Sequence, residues 1–207
     1  MAPIGYDPQP KGIIRTTPPA EALRALGFDS SFVNASIPAD ITAAAKAAQV
    51  AVVFIGRAGS EGESGGWCTE RECGDTPDMV LDPAQRALLT AVLASKTPTV
   101  VVLFNCTPLD ITDLLETGSG VHALVHAYYP QLWAGTAVAD VLSGAFPPAG
   151  RMSYSWPKNT KDSGNLSDYK MTGTSKTYRY SQPDKQSQLF PFGFVSTVLQ
   201  YTTIMSM

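Results

Sequence analysis

Two glutamates pose the first chemical question. Glu61 and Glu63 stand two positions apart in GSEGES, flanked by glycines at 59, 62, 65 and 66. A carboxyl group tuned towards neutral pH works as a general acid or base. Glycines let the backbone approach a ligand closely. Two acids in an exposed loop also serve solubility alone. One carboxylate does not make a glycosidase, which ordinarily needs a pair flanking the scissile bond. The other candidates are ambiguous too. Asp110 follows an apolar run and is either catalytic or a helix N-cap ahead of ITDLLE. His122 and His126 share one face of a strand-like run, a weak match to a metal pair and an ordinary pattern for a sheet end. Trp67, Tyr128, Tyr129 and Trp133 can form a sugar-stacking platform or a core. Cys68 and Cys73 in WCTEREC allow a local disulfide, two thiols or half a metal site, and no Cys or His cluster completes the last of these. Nucleophile-elbow, zinc-helix, Walker and dinucleotide fingerprints are all missing from the sequence.

These groups need elements to hold them. The run Val50–Ile55 is apolar throughout and breaks at Gly56, as expected of a strand buried on both faces of a parallel sheet. The loop after such a strand leaves from its carboxyl end, where open α/β sheets bind ligands. Thr99–Phe104 and Val121–Tyr129 read as two further strands. PPAEALRALG predicts a helix ended by Gly27, and IPADITAAAKAAQ another with Asp40 as N-cap. DPAQRALLTAVLAS predicts a helix with Asp82 as N-cap and Pro83 at its first position, and PQLWAGTAVADVLSG one closed by Gly144. Ser31–Asn34 is a further strand candidate, and FPPAGRMSYSWP a turn with an edge strand. Residues 57–82 form one long loop, and loops of that length are more often functional than not. Residues 158–188 read as polar loop, with LFPFGF packing back on the body. Alternating strands and helices give a three-layer α/β/α sandwich with a mostly parallel sheet and helices on both faces. The expected organisation is an irregular lead-in over 1–15, the sandwich over 16–157 and a loop-rich segment over 158–207.

Composition narrows the partners. With 207 residues, 44% hydrophobic and 16% charged, the chain is globular in type. A net charge of -3 offers no basic surface for nucleic acid. No apolar run reaches the roughly 18 residues that span a membrane. MAPIGYDPQPKGII shows no charged-then-apolar signal pattern, and no compartment is assigned. Asn34, Asn105 and Asn165 begin N-x-S/T sequons, a weak pointer to secretion, with Asn105 expected to be buried.

Several segments, in order, carry a family likeness. They are TTPPAEALRALGF, AAKAAQVAVVFIG, EGES, LDPAQ, PTVVVLFNCTPLDI, HAYYPQLWAGTAVADVLSGAFPPAGRMSYSWPKN, DYKMTGTSKTYRY and LFPFGF. Together, from about Thr16 to Phe194, they resemble the C-terminal α/β sandwich domain of glycoside hydrolase family 3, the β-glucosidases and β-xylosidases. The resemblance implies a retaining O-glycosyl hydrolase without a cofactor, acting on a β-linked oligosaccharide or aryl glycoside. It implies Glu63 as general acid/base, with Glu61 as its neighbour; Glu61 and Trp67 are the candidate substrate contacts. In the family the nucleophile is an aspartate on a separate N-terminal barrel, and the resemblance implies that these 207 residues do not include it. The family's D-R after the acid/base is Asp75-Thr76 here, behind the Cys68–Cys73 insertion, and P-G-Q-x-G-G has become PQLWAG. The ending VSTVLQYTTIMSM is unlike the family's, as expected of a truncated or mis-spliced product. Two expectations follow. One is an acid/base domain inactive without a barrel. The other is a non-catalytic carbohydrate-binding or interaction module derived from that domain.

Overall fold

The computed structural model describes residues 17–33, 37–57, 78–130, 132–163, 165, 167–171, 177–180 and 187–195. Among the described residues, three strands make the central sheet: β1 (Ala51–Gly56), β2 (Thr99–Phe104) and β3 (Val121–His126). They lie in the order β1-β2-β3, and both pairings are parallel. A register irregularity between Thr99 and Val100 marks the start of the β2–β3 ladder.

Strand parity sorts the core into two layers. Val53, Ile55, Val101 and Leu103 face one side with Ile41, Ala45, Leu89 and Val92. Those partners lie on α2 (Pro38–Ala47) and α3 (Pro83–Leu93). Val102 and Phe104 face the other side with Leu23, Val138 and Leu142. These belong to α1 (Pro19–Ala25) and α4 (Ala134–Ser143). Helices thus cover both faces of a parallel sheet, the predicted three layers. Each fully buried Leu or Ile contributes about 1.5–3 kcal/mol relative to exposure.

Helix ends follow local chemistry. Phe28 N–H bonds Leu23 O and Gly27 N–H bonds Arg24 O, with Gly27 at φ +92°, so α1 closes in a Schellman turn. Asp82 Oδ1 accepts from Ala84 N–H (2.9 Å) and Gln85 N–H (3.4 Å), capping α3 as predicted. Gly144, at φ +77°, ends α4. The start of α2 differs from expectation. Its N-cap is Ile37 and Asp40 lies inside the first turn, because Pro38 fixes the first helical φ two positions earlier. There Asp40 still favours the helix dipole.

Other expectations change in the same way. Residues 31–33 form no strand: Phe32 and Val33 are exposed and no strand among the described residues pairs with them, while Asn34 lies outside the described residues. The stretch 158–188 is not all loop. It holds a 3-10 turn, Thr160–Ser163, and a one-turn helix α5, Thr177–Tyr180. The segment LFPFGF does pack back: β5 (Gln188–Phe190) pairs antiparallel with β4 (Trp156–Pro157), and Phe190 stands edge-on to Trp156 at 6.0 Å.

Candidate functional site

The carboxyl edge of the sheet is formed by the ends of β1, β2 and β3 and the segments that leave them. At β1 the chain exits through Gly56 and Arg57. Ala51 N–H bonds Pro98 O and Arg57 N–H bonds Phe104 O, both at 2.9 Å, so odd-numbered residues point their peptide groups at β2. The peptide groups of Gly56 therefore face the open side. Gln85, in the first turn of α3, meets both: its Oε1 accepts from Gly56 N–H (2.7 Å) and its Nε2 donates to Gly56 O (2.8 Å). A Cβ at position 56 would run into the Phe104 carbonyl, so glycine is required there.

Arg57 is a buried cation, 7% exposed. Such a group needs partners to offset desolvation. Its Nη2 donates to Asp78 O (3.0 Å) and Val80 O (2.8 Å) and lies 3.5 Å from Asp78 Oδ1. The alternate residue of this extended segment turns the other way. Met79 N–H donates to Thr160 Oγ1 (3.1 Å), and Met79 O accepts from Asp110 N–H (2.8 Å). Residues 78–81 are thereby laced between Arg57 on one side and the β2 exit on the other.

At β2 the exit residue Asn105 is fully buried, which removes its sequon as an acceptor in the folded chain. Its Nδ2 donates to Thr107 O (2.6 Å), and its Oδ1 has no hydrogen-bond partner among the described residues. At β3, His126 Nε2 sits 3.0 Å from Asn105 O. Its ring packs on Tyr128 at 4.0 Å and edge-on to Trp156 at 5.0 Å. Trp156 Nε1 donates to Leu109 O (2.8 Å), and Ser153 N–H donates to Tyr128 Oη (3.3 Å). Tyr128 holds a left-handed φ of 51°.

The sequence candidates distribute unevenly over this edge. Glu61, Glu63, Trp67, Cys68 and Cys73 lie within 58–77, outside the described residues. Arg57 and Asp78 flank that stretch directly. Asp110 is not the N-cap of the following 3-10 turn, Thr112–Leu115, which is capped at Ile111. Its Oδ1 is only 3.5 Å from Thr112 N–H, too long to hold the turn strongly. Asp110 instead lines a shallow cleft with Arg86, Thr112, Asp113 and Glu116, where Arg86 Nη1 bonds Asp113 Oδ2 at 2.6 Å. His122 and His126 belong to opposite ends of β3. His122 Nδ1 is 3.0 Å from Gly120 O at the amino end, whereas His126 is part of the aromatic group at the carboxyl end. Among the described residues no three His, Cys, Asp or Glu side chains group as metal ligands. Trp133, 78% exposed at the start of α4, stands apart from that group.

Arg57 and Gln85 went unnoticed in the sequence, and Asn105 was read only as a sequon residue expected to be buried. A charged residue placed directly after an all-apolar strand and Gly56 was the available signal for Arg57. Gln85 was visible only as part of LDPAQ.

This sequence is similar to the xylan 1,4-beta-xylosidase of Xylanibacter ruminicola, 39% identical over 130 residues, covering 63% of this chain and 14% of that protein. It is 32% identical to a beta-glucosidase of Rhizobium radiobacter over 84% of this chain and 21% of that one. The fold matches the crystal structure of a beta-glucosidase from Chaetomella raphigera with a TM-score of 0.71 and 26% identity, over 86% of this chain and 26% of that one. The chain thus spans about a quarter or less of the length of these relatives. The model of the glycosyl hydrolase family 3 C-terminal domain matches residues 9–198. On that match, and with helices on both faces of a parallel sheet, the chain belongs to glycoside hydrolase family 3, as its C-terminal domain.

Proposed function

We propose that this chain supplies the acid/base half of a retaining β-glucosidase or β-xylosidase site, with Glu63 as the proton-transferring group. The observation that carries the reading is the exit of β1. Arg57 and Asp78, the residues bounding 58–77, are fastened to each other at the carboxyl edge of a family 3 sheet. Glu61 and Trp67 lie in the same stretch as Glu63 and are assigned to substrate contact.

The chemistry takes two steps. A carboxylate on a barrel domain attacks the anomeric carbon. The glycosidic C–O bond breaks as protonated Glu63 gives its proton to the leaving oxygen. Glu63, now a carboxylate, then takes a proton from water, which attacks the anomeric carbon and releases the enzyme carboxylate. The two carboxyl groups of such a pair stand about 5–5.5 Å apart. Without the barrel the first bond-making group is missing, and turnover by the chain alone is expected to be negligible.

The test uses aryl β-glucoside and aryl β-xyloside, with the chain alone and with the barrel domain of the Xylanibacter xylosidase added in trans. Hydrolysis only in the mixture, lost with Glu63→Gln, is the expected result. Robust hydrolysis by the isolated chain would refute it. Trp133 supports a second reading, a carbohydrate-binding module, because a large exposed ring at the start of α4 offers a stacking surface. Xylo- or cello-oligosaccharide affinity that survives Glu63→Gln, is lost with Trp133→Ala and is indifferent to the barrel would favour it.

A further inference from the structure

We infer that Arg57 and Gln85 are positioning residues that fix the two points, Gly56–Arg57 and Asp78–Val80, between which the chain carries Glu63. This rests on the reading of Glu63 given above and adds the two groups through which the fold would aim it. The contacts are specific to the exit of β1. The carboxamide of Gln85 presents a donor and an acceptor side by side, matching the outward C=O and N–H of Gly56 as a neighbouring strand would. It therefore closes the β1 edge at the last residue before Arg57. Arg57 uses the two hydrogens of one nitrogen on Asp78 O and Val80 O, on the returning chain. A planar guanidinium can bridge two carbonyls in this way, and a lysine ammonium on its flexible stem does so poorly. The described residues on either side of 58–77 are thus joined at one buried cation. Both pairs link residues more than twenty positions apart, so neither is a product of local turn chemistry.

The three tryptophans of the chain offer a direct readout, since they fall in three places: Trp67 in the segment, Trp156 in the core and Trp133 on the surface. The full chain labelled with 5-fluorotryptophan gives a fluorine NMR resonance for each, with Trp67 assigned by Trp67→Phe. Gln85→Ala and Arg57→Lys are expected to shift or broaden the Trp67 line while leaving Trp156 and Trp133 in place. Amide exchange at Gly56 and Arg57 should rise about tenfold in Gln85→Ala, the loss expected for one backbone hydrogen bond. Gln85→Glu, which keeps the acceptor for Gly56 N–H, should fall between wild type and Gln85→Ala. An unmoved Trp67 line in Gln85→Ala overturns the inference. So does a Trp156 line that moves as far as Trp67, because the residues would then only hold the core. If Arg57→Lys fails to fold, Gln85→Ala decides alone, since Gln85 is half-buried on a helix and alanine suits the helix. Steady-state kinetics with the added barrel separate this inference from the functional reading. Absent hydrolysis in every mixture defeats the acid/base role and leaves the NMR result standing. Active mixtures in which both variants keep wild-type kcat defeat the positioning role.

Discussion

The carboxyl ends of β1 and β3 are set by different kinds of force. At β1 the chain is held by directional polar contacts: two bonds from Gln85 to Gly56 and two from Arg57 to the returning segment. At β3 it is held by rings. His126, Tyr128, Tyr154 and Trp156 stack or meet edge-on at centroid distances between 4.0 and 6.4 Å. The left-handed Tyr128 persists there because Ser153 and the neighbouring rings fix its side chain. Ring packing supplies energy in proportion to buried area but tolerates small slides. Hydrogen bonds from a buried cation and a carboxamide supply less net energy and fix a backbone direction closely. The polar end adjoins the segment that carries Glu63, and the aromatic end anchors the C-terminal strand pair.

On that division, the largest stability loss is expected from the aromatic end. Trp156→Ala removes a fully buried ring that touches His126, Tyr154 and Phe190, and it strips Leu109 O of its donor. Truncating a buried aromatic costs about 3–5 kcal/mol, and the orphaned carbonyl adds about 1–3. Urea unfolding of the full chain should show a loss of at least about 4 kcal/mol. A loss below about 1 kcal/mol would mean the aromatic end is ornament rather than anchor.

The same comparison separates what the sequence made legible from what it did not. The sheet was readable because Val50–Ile55 and Val100–Phe104 are apolar at every position, a pattern that suits a strand buried on both faces. Asp82-Pro83 and Gly144 mark helix ends by chemistry internal to a few residues. Trp156 was readable only as part of a family segment, since its partner Leu109 is 47 positions away. Arg57 and Gln85 were unreadable for the same reason: their partners lie 21 to 29 positions away, and pairing over that distance leaves no periodic trace. The strand expected over Ser31–Asn34 shows the converse error. Local propensity there found no neighbouring strand to satisfy it at 31–33.

A middle-sized effect is expected from the polar end. Gly56→Ala drives a methyl group into the Phe104 carbonyl, which cannot withdraw without breaking its bond to Arg57 N–H. Strain of this kind costs about 2–3 kcal/mol. In hydrogen exchange the damage should concentrate at the β1–β2 ends and spare Trp156. Uniform loss across both ends of the sheet would remove the distinction between them.

The smallest effect probes how the polar end is supported. Gln85 can reach Gly56 only if α3 begins where Asp82 caps it, since the cap and the carboxamide are three residues apart on one turn. Asp82→Ala leaves two amides of that turn without their acceptor, and N-cap losses typically cost about 1 kcal/mol. Asp82→Asn keeps the accepting oxygen and should restore most of it. The informative measurement is where the cost falls. Fraying of the first turn should loosen the Gln85–Gly56 pair and raise amide exchange at Gly56, while the Trp156 ring signals stay fixed. If Gly56 exchange is unchanged although stability drops by the expected amount, Gln85 holds its strand without help from the cap. The β1 end would then depend on Arg57 more than on α3.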